Sequence, residues 1–218
     1  MIQKVKLSDL PERYFFADLA AGKKPQGELK RVRARQAIVG VAPLYFANRR
    51  FVFVIYAWAG RLSTQDFKQK LIDVHDTWRP VKFGLESNAL QSLFADTVIA
   101  AVKEKKQRVR FVSVDQPTKL DKDFRIRSAL QEPYANHEIF LLHAQTELQT
   151  EIISFPTGST KDIIDALASI FYHLLPKRSV AAQDRDEREG LAEYLRLRGA
   201  SPAEIVQRLG LAFPQVRP

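Results

Sequence analysis

The chain has no cysteine, a single methionine and four histidines in 218 residues. Without cysteine there is no disulfide, no thiolate zinc site and no thiol nucleophile, a composition that fits a reducing cytoplasm. The histidines, His75, His137, His143 and His173, lack the short spacing of a histidine metal motif. His75 and His173 fall on amphipathic helical patterns, and His137 and His143 flank an extended segment. No Gly-x-x-x-x-Gly-Lys-Ser/Thr sequence occurs, so the chain has no P-loop to cradle ATP phosphates and is not by itself an ATP-driven motor. No apolar run approaches the roughly 20 residues needed to span a bilayer, and the first residues, Met1-Ile-Gln-Lys-Val-Lys6, lack the apolar core of a signal peptide.

What is present is a core-forming, basic chain. With 45% hydrophobic and 27% charged residues, it can bury one core and carry an appendage. A net charge of +9 and a pI near 9.8 favour polyanionic partners. The basic residues are clustered: residues 1–36 hold nine Lys/Arg against four acids, and residues 103–127 repeat that balance. In the second block Lys103, Lys106, Lys119, Lys122, Arg125 and Arg127 form a stripe suited to backbone phosphates. A solvated helix end followed by an ordinary strand edge is the plainer reading of the same residues.

Local patterns give a mixed α/β chain. Residues 1–36 read as irregular, with a short helix expected at Leu7–Ala20 and a turn at 22–27. Ala37–Val41 and Phe51–Trp58, rich in β-branched and aromatic residues, read as a hairpin turning through Pro43–Arg50. Ser63 caps an expected helix to about Trp78. A strand at Val81–Leu85, a helix at Asn88–Lys105, a strand at Val109–Val114 and a helix at Lys119–Gln131 follow. Glu138–Leu142 reads as extended, Thr146–Ile153 as ambiguous, and Thr160–Leu175 as the closing helix. Strands alternating with helices predict a mixed sheet with helices on its faces.

Two groups of acids stand out against this frame. Glu86 directly follows the strand 81–85, where sites form in open α/β sheets, although Asn88 nearby allows a simple capping role. Asp162 and Asp165 lie one helical turn apart at the start of the closing helix, opposite an apolar side of Ile163, Ile164, Leu167 and Ile170. Acids in a first turn also complement the helix dipole without further purpose.

In order, the segments Val39-Gly-Val-Ala-Pro43, Phe83-Gly-Leu-Glu-Ser-Asn88, Lys122-Asp-Phe-Arg-Ile126 and Gly158-Ser-Thr-Lys-Asp-Ile-Ile-Asp-Ala-Leu167 resemble the nuclease domain of phage large terminase subunits. The resemblance covers about residues 37–175 and implies an RNase H-like fold. In that family the first strand ends in an aspartate, a second acid ends the strand before an Asn-containing helix, and an Asp-Asp pair opens the last helix. By resemblance Glu86 is the second acid, Asp162 the second member of the pair, with Lys161 at the first, and Asp165 a supporting acid. Ala42 stands where the first-strand aspartate is expected. Such acids bind divalent metal, Mg²⁺ or Mn²⁺, for phosphodiester cleavage. The alignment therefore implies a nuclease inactivated by an engineered Asp→Ala change, with a naturally inactive domain or a misaligned strand end as the alternatives.

The resemblance further implies double-stranded DNA as substrate, cut with little sequence specificity during packaging of concatemeric viral DNA in the cytoplasm of an infected bacterium. It implies an ATPase domain of the same terminase as neighbour, with residues 1–36 as the linker to it, and the portal and small terminase subunit as partners, with no membrane. The nuclease body would span 37–176 and a helical tail 177–218, in which Asp184–Arg198 and Ser201–Gly210 read as a small αα-hairpin. A non-catalytic RNase H-like DNA-binding or docking module is one alternative, and a resolvase or integrase-type nuclease another.

Overall fold

The computed structural model describes residues 12–19, 35–46, 49–87, 91–105, 108, 110–115 and 121–176. Six strands form one sheet: β1 (Tyr14–Asp18), β2 (Gln36–Phe46), β3 (Arg49–Gly60), β4 (Lys82–Ser87), β5 (Phe111–Asp115) and β6 (Ile139–Phe140). Their spatial order is β5-β4-β1-β2-β3-β6. β1 runs antiparallel to β2 and parallel to β4, β4 runs parallel to β5, and β3 runs parallel to β6. The helices are α1 (Thr64–Trp78), α2 (Gln91–Glu104), α3 (Lys122–Ala135), α4 (Thr146–Ser154) and α5 (Asp162–Ser169), the last continuing into a π-helical turn at Ile170–Leu174. This mixed sheet flanked by helices is consistent with an RNase H-like fold.

β1 organises the core. All five of its residues, Tyr14-Phe-Phe-Ala-Asp18, are buried. Strand periodicity sends Tyr14 and Phe16 to one face, where they pack with Val39, Val41, Leu148, Ile163 and Leu167 under α3, α4 and α5. Phe15 and Ala17 go to the other face and join Ile38, Phe67, Leu71, Phe83 and Leu85 under α1 and α2. A strand covered on both faces reads as a continuous apolar run rather than an alternation. The helix expected over Leu7–Ala20 therefore gives way to a strand at residues 14–18, and these residues belong to the sheet rather than to a linker.

Other expectations are met more closely. Ser63 caps α1, its Oγ accepting from the Asp66 amide at 3.1 Å. The hairpin strands run further than predicted, leaving only residues 47–48 between β2 and β3. The ambiguous segment after Gln145 is the helix α4. The turn at 22–27 and the C-terminal αα-hairpin lie outside the described residues. Two units divide the chain, residues 1–43 with 52–175, and residues 44–51 with 176–218. Of the second, the hairpin tip is described, with the Arg49 guanidinium 5.1 Å from the Phe51 ring centroid. Among the described residues no helix is long and apolar enough to cross a membrane.

Candidate active site

The carboxyl ends of β1 and β4 carry one acid each. Parallel pairing sets Ala17 level with Leu85, so the next residues, Asp18 and Glu86, lie side by side. Both alternate onto the face covered by α5. Gly84, two residues before Glu86, permits that covering: a Cβ there would stand 2.7 Å from the Phe16 ring and 3.2 Å from Leu174. The Asp18 and Glu86 carboxyls are hydrogen-bonded to each other. Burial pushes the Glu86 carboxyl up to about 8, helped by that hydrogen bond and by the charges of Asp18 and Asp165, against the opposing charge of Arg125. At neutral pH the Glu86 carboxyl is therefore largely protonated.

Helix α5 brings the other two acids. Asp165 is buried, and Asp162 is more exposed at the helix start. Burial raises the Asp165 pKa, the cations Lys122 and Arg125 pull it down, and Asp18 raises it again. One guanidinium nitrogen of Arg125, from α3, donates to both Asp165 oxygens at 3.0 and 3.1 Å. The Lys122 ammonium lies 3.2 Å from Asp165 and 3.5 Å from Asp162. Burial alone would lower its pKa, but Asp165, Asp18 and Asp162 outweigh that and raise it.

A buried glutamate positions α5. No side chain of its own N-cap residue, Lys161, caps the helix. Instead Glu151 of α4, almost fully buried, accepts from the amides of Ile163 at 2.9 Å and Ile164 at 3.0 Å through Oε2. It satisfies two of the orphan donors at the helix start from a neighbouring helix. Lys161 reaches the other way, its Nζ 2.7 Å from each oxygen of Asp123 on α3 and 5.7 Å from the Phe155 ring centroid. The position that breaks the expected acid pair is thus a tie between α3 and α5.

Of the residues singled out from sequence, Glu86, Asp162 and Asp165 converge, with Lys122 and Arg125 beside them. Lys122 and Arg125 are engaged by the acids, so they are internal counter-charges before they are a phosphate-steering surface. Arg127 and Lys103 are exposed on α3 and α2. Lys106 and Lys119 lie outside the described residues. His173 is held below its ordinary pKa by burial and by Arg125, and lines a small cavity with Arg125 and Asp165. His137 and His143 are exposed near α4.

The placement of the missing first-strand acid at Ala42 is corrected. β2 pairs Ala37 with Asp18 and Val41 with Tyr14, so Ala42 lies about 17 Å along the strand from the level of Asp18. It is fully buried in the apolar cluster under α1 and α2, on the opposite sheet face. Nothing is missing there, and the inference of an inactivated site falls with it. The acid ending the first strand is Asp18. Its sequence signal, an aromatic run closed by an acid in Tyr14-Phe-Phe-Ala-Asp18, was available but was absorbed into the helical pattern of 7–20.

Four carboxylates with neither thiolate nor imidazole are the donor set of a hard divalent cation. Among the described residues no three of these acids stand in a ready-made coordination arrangement, and the Lys122 ammonium lies against Asp162 and Asp165. The donor chemistry fits a divalent ion; the side chains as placed are satisfied by internal cations.

No family model matches the chain, and no curated protein matches it. Among solved structures it is similar to the Thermus thermophilus RuvC structure, at 15% identity and a TM-score of 0.36, over 63% of this chain and 87% of that one. A likeness that distant leaves the chemistry to be read from the site.

Proposed function

We propose that the chain is a divalent-metal-dependent nuclease whose site is formed by Asp18, Glu86, Asp162 and Asp165. The observation that carries this reading is the hydrogen-bonded Asp18–Glu86 pair beside Asp165, a crowd of like charges at the carboxyl ends of parallel strands. Such crowding holds a proton in the absence of a stronger cation and exchanges it for a metal ion when one binds. Asp18, Glu86 and Asp162 would hold Mg²⁺ or Mn²⁺, which when bound activates water and stabilises the leaving oxygen of a phosphodiester. Asp165, fixed by Arg125, orients the group from behind. Lys122 partly neutralises Asp162 and Asp165, and with a divalent ion bound its ammonium would be available to a backbone phosphate.

Asp18 also completes the motif order, since the first strand now ends in an acid as the terminase resemblance requires. On that support we propose double-stranded DNA as substrate and the cutting of concatemeric viral DNA during packaging as the role. The chain as it stands is active in this reading. The test is nicking of supercoiled plasmid with Mg²⁺ or Mn²⁺: wild type cuts and Asp18→Asn does not. Equal or absent cutting by both proteins defeats the proposal, and a preference for branched over linear duplex would replace packaging with junction resolution.

A further inference from the structure

At the other end of the sheet a second charged site is built from residues far apart in sequence. Arg79 follows α1, and Arg110 immediately precedes β5, whose pairing with β4 is extended by a hydrogen bond from the Phe83 amide to the Arg110 carbonyl at 2.8 Å. Arg79, Arg108 and Arg110, with His75 and Asp76, line a cavity of about 240 Å³. Asp76 does not neutralise the three guanidiniums, because it is already engaged by the Lys105 ammonium at 3.1 Å and by His75 Nδ1 at 3.2 Å.

His75 is the second, independent sign. It is only 4% exposed, and its ring stacks on Phe111 with centroids 5.1 Å apart. With Nδ1 directed to Asp76, the other ring nitrogen, Nε2, is buried and has no hydrogen-bond partner among the described residues. A buried polar atom left this way is costly unless something meets it. The backbone adds a third sign. Arg79 adopts φ 45° and ψ 57° at the α1 C-cap, a left-handed conformation that glycine adopts at no steric cost. A side chain held in that conformation points to a use for the guanidinium.

We propose that this cavity binds a phosphoryl group, gripped by Arg79, Arg108 and Arg110, with the His75 imidazole on its buried wall. Three guanidiniums and an imidazole offer more donors than the two oxygens of a carboxylate can use, whereas a tetrahedral oxyanion with three or four oxygens engages them all. The site lies at the amino ends of β4 and β5, away from the carboxylate cluster at their carboxyl ends. It stands on its own residues and does not depend on the nuclease reading.

The test uses the full chain labelled with ¹⁵N-histidine, the His75 signals being assigned from His75→Gln. Inorganic phosphate is titrated in at about 150 mM salt without divalent metal, where weak surface attraction is screened. The His75 resonances should shift and saturate while those of His137 and His143 stay in place. Affinity should fall at least about tenfold in the exposed-site variant Arg108→Gln and further in Arg108→Gln/Arg110→Gln, with Asp18→Asn unchanged. A short duplex that displaces phosphate identifies the nucleic-acid backbone as the source of the group; a nucleoside monophosphate that binds where duplex does not identifies a free nucleotide. A His75 response that never saturates, that persists unchanged in the arginine variants, or that acetate reproduces equally overturns the proposal.

Discussion

The two ends of the parallel strands β1, β4 and β5 carry opposite electrostatic problems. At the carboxyl ends of β1 and β4, acids crowd until Glu86 holds a proton near neutral pH, and Lys122 and Arg125 are drawn in from α3. At the amino ends of β4 and β5, guanidiniums crowd around a cavity whose one acid among the described residues, Asp76, is already paired. Each end has partial internal compensation, and in the readings proposed above each would receive a ligand of the opposite sign. The fold supplies this polarity: loops at strand ends bring together residues distant in sequence, while the interior stays apolar.

The contrast breaks most completely at Asp18. Asp18→Asn should lower metal-dependent cleavage by at least about a thousandfold, on the order of 4 kcal/mol in the barrier, with the phosphate response of His75 intact; steady-state nicking and the histidine spectra check both halves. Ala42→Asp sharpens it from the other side. This change buries a charge among apolar neighbours, so it should destabilise the chain by roughly 3 kcal/mol or more without improving cleavage, as denaturant unfolding and nicking would show.

Glu86→Gln is expected to abolish cleavage and to alter the pH dependence of stability. Because its folded pKa is raised from 4.5 to about 8, the folded protein holds more protons than the unfolded chain between those values. The stabilisation is complete below about 4.5 and is lost as pH rises toward 8. Metal-free unfolding midpoints should therefore fall over that window in wild type and fall less in Glu86→Gln, with Mg²⁺ restoring the wild type at the alkaline end. If midpoints rise with pH over the same window, the account of a protonated Glu86 is wrong.

Glu151→Ala removes the cap that orients α5. It should cost about 0.5–2 kcal/mol or somewhat more and reduce cleavage without touching the acids themselves, read as a lower melting temperature and a lower turnover number. The smallest effect belongs to Arg79→Gly. Relief of the left-handed conformation should stabilise by up to about 1 kcal/mol, while phosphate binding weakens; stability and affinity moving together would contradict the role given to that guanidinium.

Much of this was legible in the sequence wherever the signal was local. The Ser63 cap, the β2–β3 hairpin, the acid at the end of β4 and the paired acids of α5 each sit within a few residues of what defines them. β1 was not, because a five-residue strand buried on both faces has no alternation, and its aromatic residues also fit helical spacing. Misreading it placed the first-strand acid position at Ala42, which lies on the opposite sheet face from Asp18. Glu151 and the arginine cluster were hidden for a different reason. A cap supplied from a neighbouring helix, and a cavity closed by β4–β5 pairing, exist only after the chain has folded.

The central claim is that Asp18 and Glu86 share a metal-binding, phosphodiester-cleaving site. Plasmid nicking by the unaltered chain and by Asp18→Asn, each with Mg²⁺, with Mn²⁺ and with chelator, tests it most directly. Metal-dependent cutting by the unaltered chain alone is the predicted result. An unaltered chain that binds DNA but cuts with neither metal, or an asparagine variant that cuts as well, would contradict it.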